Sequence, residues 1–223
     1  MSASKQKEIT SKIATEAEER YGDPARRKVR PPLDQLVESL LWRKTSIRRG
    51  TRALRQLKRN FVDWNEVRVS HHEEVASAMA TTEWAQESAA QIQRMLAKLF
   101  ELRHEMRLEF LRELTKAQSR AFLKSLPGIS PDLADEVLLF STDVNLFPVN
   151  EDTARLAHRL GLVPNARVTK KNQQRLMKLW DPEMYVPVDQ FFLDHAASVC
   201  TEDEPNHADC VLDELCPREG LSD

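Results

Sequence analysis

Cys200, His207, Cys210 and Cys216 form the most reactive cluster in the chain, spaced Cys-x6-His-x2-Cys-x5-Cys near its carboxyl end. All three cysteines of the 223-residue chain fall in this stretch. Thiolates bind zinc and iron well, and neutral imidazole replaces a thiolate on either metal. The donor set alone leaves zinc open, because three cysteines and one histidine are a common tetrahedral zinc set. The gaps point elsewhere: zinc modules favour closely paired cysteines, whereas gaps of six, two and five residues make a longer wrap around a larger object. An odd, clustered set of thiols argues against a disulfide framework and for a reducing compartment, so a cytoplasmic protein is expected.

A second kind of chemistry is written in the charges. The net charge is −2, yet Arg43, Lys44, Arg48, Arg49, Arg52, Arg55, Lys58 and Arg59 follow one another without an intervening acid. Arg26, Arg27, Lys28 and Arg30 make a second basic run. Such polarity fits a phosphate-facing side. Six acids and no lysine or arginine lie between Cys200 and Cys216, so that loop would repel phosphate. Glu38 sits on an otherwise apolar helix face, as either a solvated flank or an acid of raised pKa.

The elements that must hold these groups are nearly all helical. Few glycines, 6% aromatics and 30% charged residues suit a helical chain. A polar helix over about 6–20 is ended by Gly22-Asp23-Pro24, and Pro31-Pro32 starts the next, with Leu33, Leu36, Val37, Leu40 and Leu41 three and four apart. Ser46 caps the basic helix, and Asp63 or Asn65 opens a short turn. Ser70 is expected to cap the segment from His71 to Met79, whose two histidines read as exposed first-turn residues. Helices over 83–106 and 108–114 follow. Thr115 caps a helix over 116–125, Leu126-Pro127-Gly128-Ile129-Ser130 breaks it, and Pro131 begins another. Glu151 and Asp152 are expected to cap a helix through Leu160. No stretch is long and apolar enough to span a membrane.

The hairpin and the cysteine spacing together resemble the helix-hairpin-helix–GPD DNA glycosylases of the endonuclease III and adenine glycosylase type. The resemblance rests on Leu126 to Ala134, Phe147-Pro148-Val149-Asn150, Arg155 to Gly161, Asp63-Trp64, and His195 five residues before Cys200; it covers roughly residues 31–217. It implies a [4Fe-4S] cluster held by Cys200, His207, Cys210 and Cys216, with zinc as the alternative and with His207 standing where the family has a cysteine. One imidazole in place of a thiolate leaves the site less negative, so its reduction potential should rise. It also implies binding to double-stranded DNA through the hairpin residues Gly128, Ile129 and Ser130 and through Arg43, Lys44, Arg48, Arg49 and Arg52.

Departures from the pattern bear on the chemistry. Where lyase members carry an imine-forming lysine this chain has Asp132, so no Schiff base is expected. The aspartate that nearly all members need is here Asn150, which cannot act as a base. Glu38 matches the glutamate with which adenine glycosylases protonate the base. Ser130 replaces the second hairpin glycine and should tighten the conformational demand there.

The expected fold is thus all-α, with two helical lobes. Residues 1–45 would pack with the cluster lobe, 46–145 would form a six-helix-type lobe with the hairpin over 116–141, and 146–223 would carry the cluster loop over 200–216. The expected activity is lesion or DNA-structure binding without standard glycosylase-lyase chemistry. The alternatives are a monofunctional glycosylase using Glu38 and a redox or interaction protein on the same scaffold. A monomer is expected, nucleoid-associated, with room for a protein partner at the acidic loop.

Overall fold

The computed structural model describes residues 2–23, 29–80, 83–142 and 144–221; Arg26, Arg27 and Lys28 of the second basic run lie outside them. The protein is all-α, with eleven α-helices and no strand among the described residues. It divides into two compact units, Val29–Val144 and the pair Met1–Lys28 with Asn145–Asp223. The first division therefore falls at residue 28, and Pro32–Trp42 packs with the helices that follow it.

The 29–144 unit holds α2 (Pro32–Trp42), α3 (Ile47–Asn60), α4 (Trp64–Val69), α5 (His72–Met79), α6 (Glu83–Arg103), α7 (Lys116–Ser125) and α8 (Pro131–Ser141). Helix α2 is apolar on most of its surface because it packs against both α3 and α8. Close approach of α3 depends on Gly50: a Cβ there would lie 2.7 Å from the Trp42 ring. Ser46 and Asp63 accept hydrogen bonds from the third residues beyond them and cap α3 and α4. Of the apolar stripe expected on α6 (Ile92, Leu96, Leu99 and Leu102), the first three are fully buried together with Met95, whereas Leu102, in the last turn, is exposed.

Two local expectations are corrected. His71, not Ser70, is the N-cap of α5, and it makes no side-chain cap bond. The expected helix over 108–114 is a single 3-10 turn, Glu109–Arg112. Helix α6 stops at Arg103 because His104 adopts a left-handed conformation (φ 55°), which ends helical propagation.

The other unit is built from α1 (Ala3–Tyr21), α9 (Glu151–Arg159), α10 (Lys170–Leu176) and α11 (Tyr185–Ser198). Helix α1 lies along α11 through Ile9, Ile13 and Ala17, and the Tyr21 hydroxyl donates to Asp194 at 2.7 Å. Phe147 anchors the centre, stacked on Trp180 and edge-on to Tyr185 and Phe192. The Trp180 indole N–H, buried in this cluster, donates to the Thr10 carbonyl. Helix α9 also packs on α11, and the loop carrying the cysteines leaves the end of α11.

Candidate functional site

The loop from Cys200 to Cys216 is anchored by two arginines of α9. Arg155 donates to the carbonyls of Cys200 and Ala196. Arg159, 6% exposed, donates to the carbonyls of Thr201 and Glu202 and, at 3.3 Å, to the Cys200 sulfur. A loop with little regular structure has carbonyls to satisfy, and these two guanidinium groups satisfy several of them.

Cys200, His207, Cys210 and Cys216 line one small recess, whose walls also include Leu156, Leu160 and His195. All three thiols are part-buried and free. Burial pushes the thiols of Cys210 and Cys216 up; Cys200 raises both further, and Cys216 adds to the rise at Cys210. Among the described residues, no three His, Cys, Asp or Glu are gathered as one metal ion requires.

His207 is oriented from outside that space. Its Nδ1 lies 3.0 Å from Asp213 Oδ1, and Asp213 in turn receives Arg218 at 2.7 Å. A carboxylate on one ring nitrogen fixes the tautomer and leaves Nε2 free to bind a metal, the usual arrangement of metal-binding histidines. Arg218 and His207 hold the Asp213 carboxyl below its ordinary range, the Arg218 hydrogen bond most strongly.

His195 was matched from sequence only by its distance to Cys200. In the structure it is 1% exposed, stacks on Phe191, and places Nε2 3.5 Å from Cys210 Sγ. Burial pushes its imidazole down to about 4, so it is neutral at physiological pH. Arg159 was not singled out as a loop anchor, because nothing in its own sequence neighbourhood signals carbonyls some forty residues away.

Asn150 is the N-cap of α9, its Oδ1 accepting from the Thr153 N–H at 2.7 Å. It takes the capping role expected of Glu151 and Asp152, which fill the first turn and complement the helix dipole. An extended backbone at Asn150 (φ −102°) aims its short side chain back at the helix, a geometry unavailable to residues already inside the turn.

The hairpin in the 29–144 unit is tightly specified. Thr115 and Gln118 form a reciprocal capping box at α7. Gly128 turns the chain at φ 76°, and the Gln91 amide donates to the Pro127 carbonyl at 2.7 Å, directly against the glycine. Ser130 has an ordinary φ of −74° and caps α8 through the Leu133 N–H. The conformational demand expected at Ser130 is therefore absent, and serine serves as a cap where glycine would not. We expect Gly128→Ala to lose about 1–3 kcal/mol in urea denaturation, since it strains a left-handed residue and displaces Gln91. Gln91→Ala, which removes the brace and keeps the turn, should lose less.

Asp132 lies in the first turn of α8, bound to the guanidinium of Arg43 from the end of α2. The other terminal nitrogen of Arg43, Nη2, donates to Glu136 at 2.8 Å, one turn further along and fully buried. Burial alone would lower the Arg43 pKa; Glu136 and Asp132 reverse that and hold it above the ordinary range. Burial would likewise raise Asp132, and Arg43 outweighs it, keeping this carboxyl ionised and below its usual value. Glu136 goes the other way: burial raises it despite Arg43 and a hydrogen bond from Ser39.

Other expected site residues are also engaged. Glu38 is fully buried and ion-paired with Arg30, so it is no solvated flank. Lys44 pairs with Glu87 at 2.8 Å on the surface. Ile129 is buried, so its backbone is the part open to recognition. Arg48, Arg49 and Arg52 stand exposed on α3. No helix among the described residues is long and apolar enough to cross a membrane.

No family model matches the chain. An Arabidopsis thaliana protein named as a DNA glycosylase is 27% identical over 195 residues, which is 86% of this chain and 66% of the relative. The thymine-DNA glycosylase of Aeropyrum pernix is 26% identical over 88% of this chain and 87% of its own length. The chain thus spans just under two thirds of the first relative, and a match to the DNA glycosylase/AP lyase ROS1 of Arabidopsis thaliana covers 10% of that longer protein. Among solved structures, an endonuclease III trapped on DNA superposes with a TM-score of 0.67 at 17% identity, covering 95% of this chain and 96% of that one.

Proposed function

Because the chain belongs to the helix-hairpin-helix–GPD DNA glycosylase superfamily, we propose that it is a double-stranded DNA binder of base-excision-repair type that has given up Schiff-base chemistry. The observation that carries this reading is the Arg43–Asp132–Glu136 cluster. Where lyase members carry a nucleophilic amine, this chain holds an ionised carboxylate, neutralised by the part-buried guanidinium of Arg43. A carboxylate cannot form an imine with deoxyribose, and this one is tied into the packing of α2 on α8.

Binding would use the backbone of Gly128, Ile129 and Ser130 at the start of α8, together with Arg48, Arg49 and Arg52. Arg43 acts indirectly. It cancels the negative charge that Asp132 places in the first turn of α8, beside the hairpin. Lys44 reaches phosphate by exchanging Glu87 for it, an exposed pair of low cost.

The resident group we propose for the recess is a [4Fe-4S] cluster held by Cys200, Cys210, Cys216 and His207 Nε2. Support comes from the four donors lining one recess and from their gaps of six, two and five residues along the chain. A bound cluster would supply a redox-active, structure-holding centre. Around it, Arg159 donates to Cys200, His195 adjoins Cys210 and Asp213 orients His207. The acidic face of the loop is left to a protein partner, since phosphate would be repelled there.

Borohydride trapping on duplex DNA with an abasic site tests the catalytic claim. The expected result is saturable binding with no covalent adduct and no strand cleavage. A trapped adduct would show that another amine serves as nucleophile. The monofunctional rival predicts single-turnover base release that Glu38→Gln abolishes; the Arg30 pairing, which keeps Glu38 buried and charge-compensated, weighs against it.

A further inference from the structure

Helix α3 carries more positive charge than the hairpin site can use, and the charge is ordered. Arg48, Arg52, Arg55 and Arg59 recur at alternating steps of four and three residues. At 3.6 residues per turn they fall within a sector about 60° wide and form one line roughly 16 Å long. The buried residues Gly50, Ala53, Leu54 and Leu57 occupy the opposite side of the helix. The line therefore faces straight out from the unit, and all four arginines are exposed.

Three details separate this line from an ordinary solvated face. An ordinary face mixes its signs, whereas α3 contains no acid. None of the four has a carboxylate partner among the described residues; Arg55 merely donates its Nε to the Thr51 carbonyl within the helix. The one lysine of α3, Lys58, lies off the line and is consumed by Asp34. Every position on the line is arginine, whose planar fork matches phosphate oxygens two at a time. Arg52, Arg55 and Arg59 with Gln56 also border a shared depression in the surface.

We propose that this line is a phosphate ladder, a second nucleic-acid contact that grips the sugar–phosphate backbone of DNA independently of the hairpin. It rests on the DNA-binding reading above and extends it to Arg55 and Arg59, which that reading does not use. Neighbouring guanidinium groups are spaced by about 5 Å along the helix, and a DNA strand presents a phosphate every ~3.4 Å of axis, so each arginine can meet its own phosphate. Helix α2 packs against both α3 and α8, so the ladder stands one helix removed from the hairpin at the start of α8. The ladder lengthens the footprint and does not reinforce the same phosphates. It carries no base-reading groups, so it holds DNA without regard to sequence.

The test uses the full chain, reconstituted as purified, with a labelled duplex of about 25 base pairs titrated between about 50 and 200 mM salt. Arg55→Gln with Arg59→Gln should make the slope of log affinity against log salt shallower by about 1.8 and weaken binding roughly ten-fold at the lower salt. Arg55→Lys with Arg59→Lys should keep the slope and lose only part of the affinity, because charge is kept and the fork is lost. Lys7→Gln with Lys12→Gln on α1 should change neither. Wild-type binding with an unchanged slope in the Arg55/Arg59 glutamine variant overturns the ladder and leaves the hairpin reading standing. A wild-type chain that ignores duplex DNA overturns both. Preference of this face for polyglutamate or for anionic vesicles over duplex DNA, lost in the glutamine variant, overturns the ladder as a nucleic-acid contact.

Discussion

Arg43→Met should destabilise the protein by about 3–5 kcal/mol at neutral pH, the range for a buried ion pair that loses one partner. Methionine fills most of the volume, so the loss is electrostatic. Glu136, fully buried, would keep its charge with only Ser39 for company. Its pKa is already raised in the native protein, with Arg43 the largest influence opposing the rise; without Arg43 it must climb further. A carboxyl whose folded pKa lies above its unfolded value contributes stability below the unfolded value, and that contribution is lost as pH rises through the folded value. The variant should therefore regain stability on acidification from pH 7 towards the ordinary carboxylate range, where Glu136 takes up a proton. Asp132 opposes this in the wild type: its lowered pKa gives stability that is present above the unfolded value and is lost on further acidification. Urea denaturation at several pH values distinguishes the cases. Adding Glu136→Gln to the Arg43→Met variant should recover much of the loss and flatten the pH dependence. A pH-independent loss of under 1 kcal/mol would mean that the cluster is solvated and contributes little.

Loss of a thiol from the proposed cluster set should have an even larger local effect. Cys210→Ala is expected to lower bound iron from about four per chain to less than one and to expose residues 200–217 to protease at least ten-fold faster (about 1.4 kcal/mol or more of local opening). The loop is short of secondary structure and of apolar side chains: Leu212 is its one buried hydrophobic residue among the described positions. Arg155 and Arg159 tether its start, and the stretch from His207 onward is held by turn hydrogen bonds and the Asp213 contacts to His207 and Arg218, to which the proposed cluster would add its bonds. His207→Cys should keep the iron and lower the reduction potential, since a thiolate adds negative charge where the imidazole had none. A colourless wild-type protein holding one zinc ion would reverse both expectations, as would unchanged protease resistance in Cys210→Ala.

Both experiments concern residues that sequence reading identified, but in different senses. The proposed donor set is legible because it is local: the four residues lie within a short stretch, and the fold brings them to one recess. The hairpin is legible for the same reason. Thr115, Gly128, Ser130 and Pro131 act through hydrogen bonds and dihedrals confined to four or five residues. Helical periodicity likewise exposes the apolar faces of α2, α3 and α6, since packing there follows 3.6-residue spacing.

What escaped was the partnership of distant charges. Arg43 meets carboxylates 89 and 93 residues away, a pairing that no local spacing announces. Glu38 could be read as a flank or an acid; only packing buried it and gave it Arg30. His195 and Arg159 became neighbours of the cysteines because α11 and α9 lie side by side. Short-range order is encoded by propensity and spacing and can be read along the chain. Which buried charge finds which counter-charge depends on how whole helices pack, and the three-dimensional fold alone decides it.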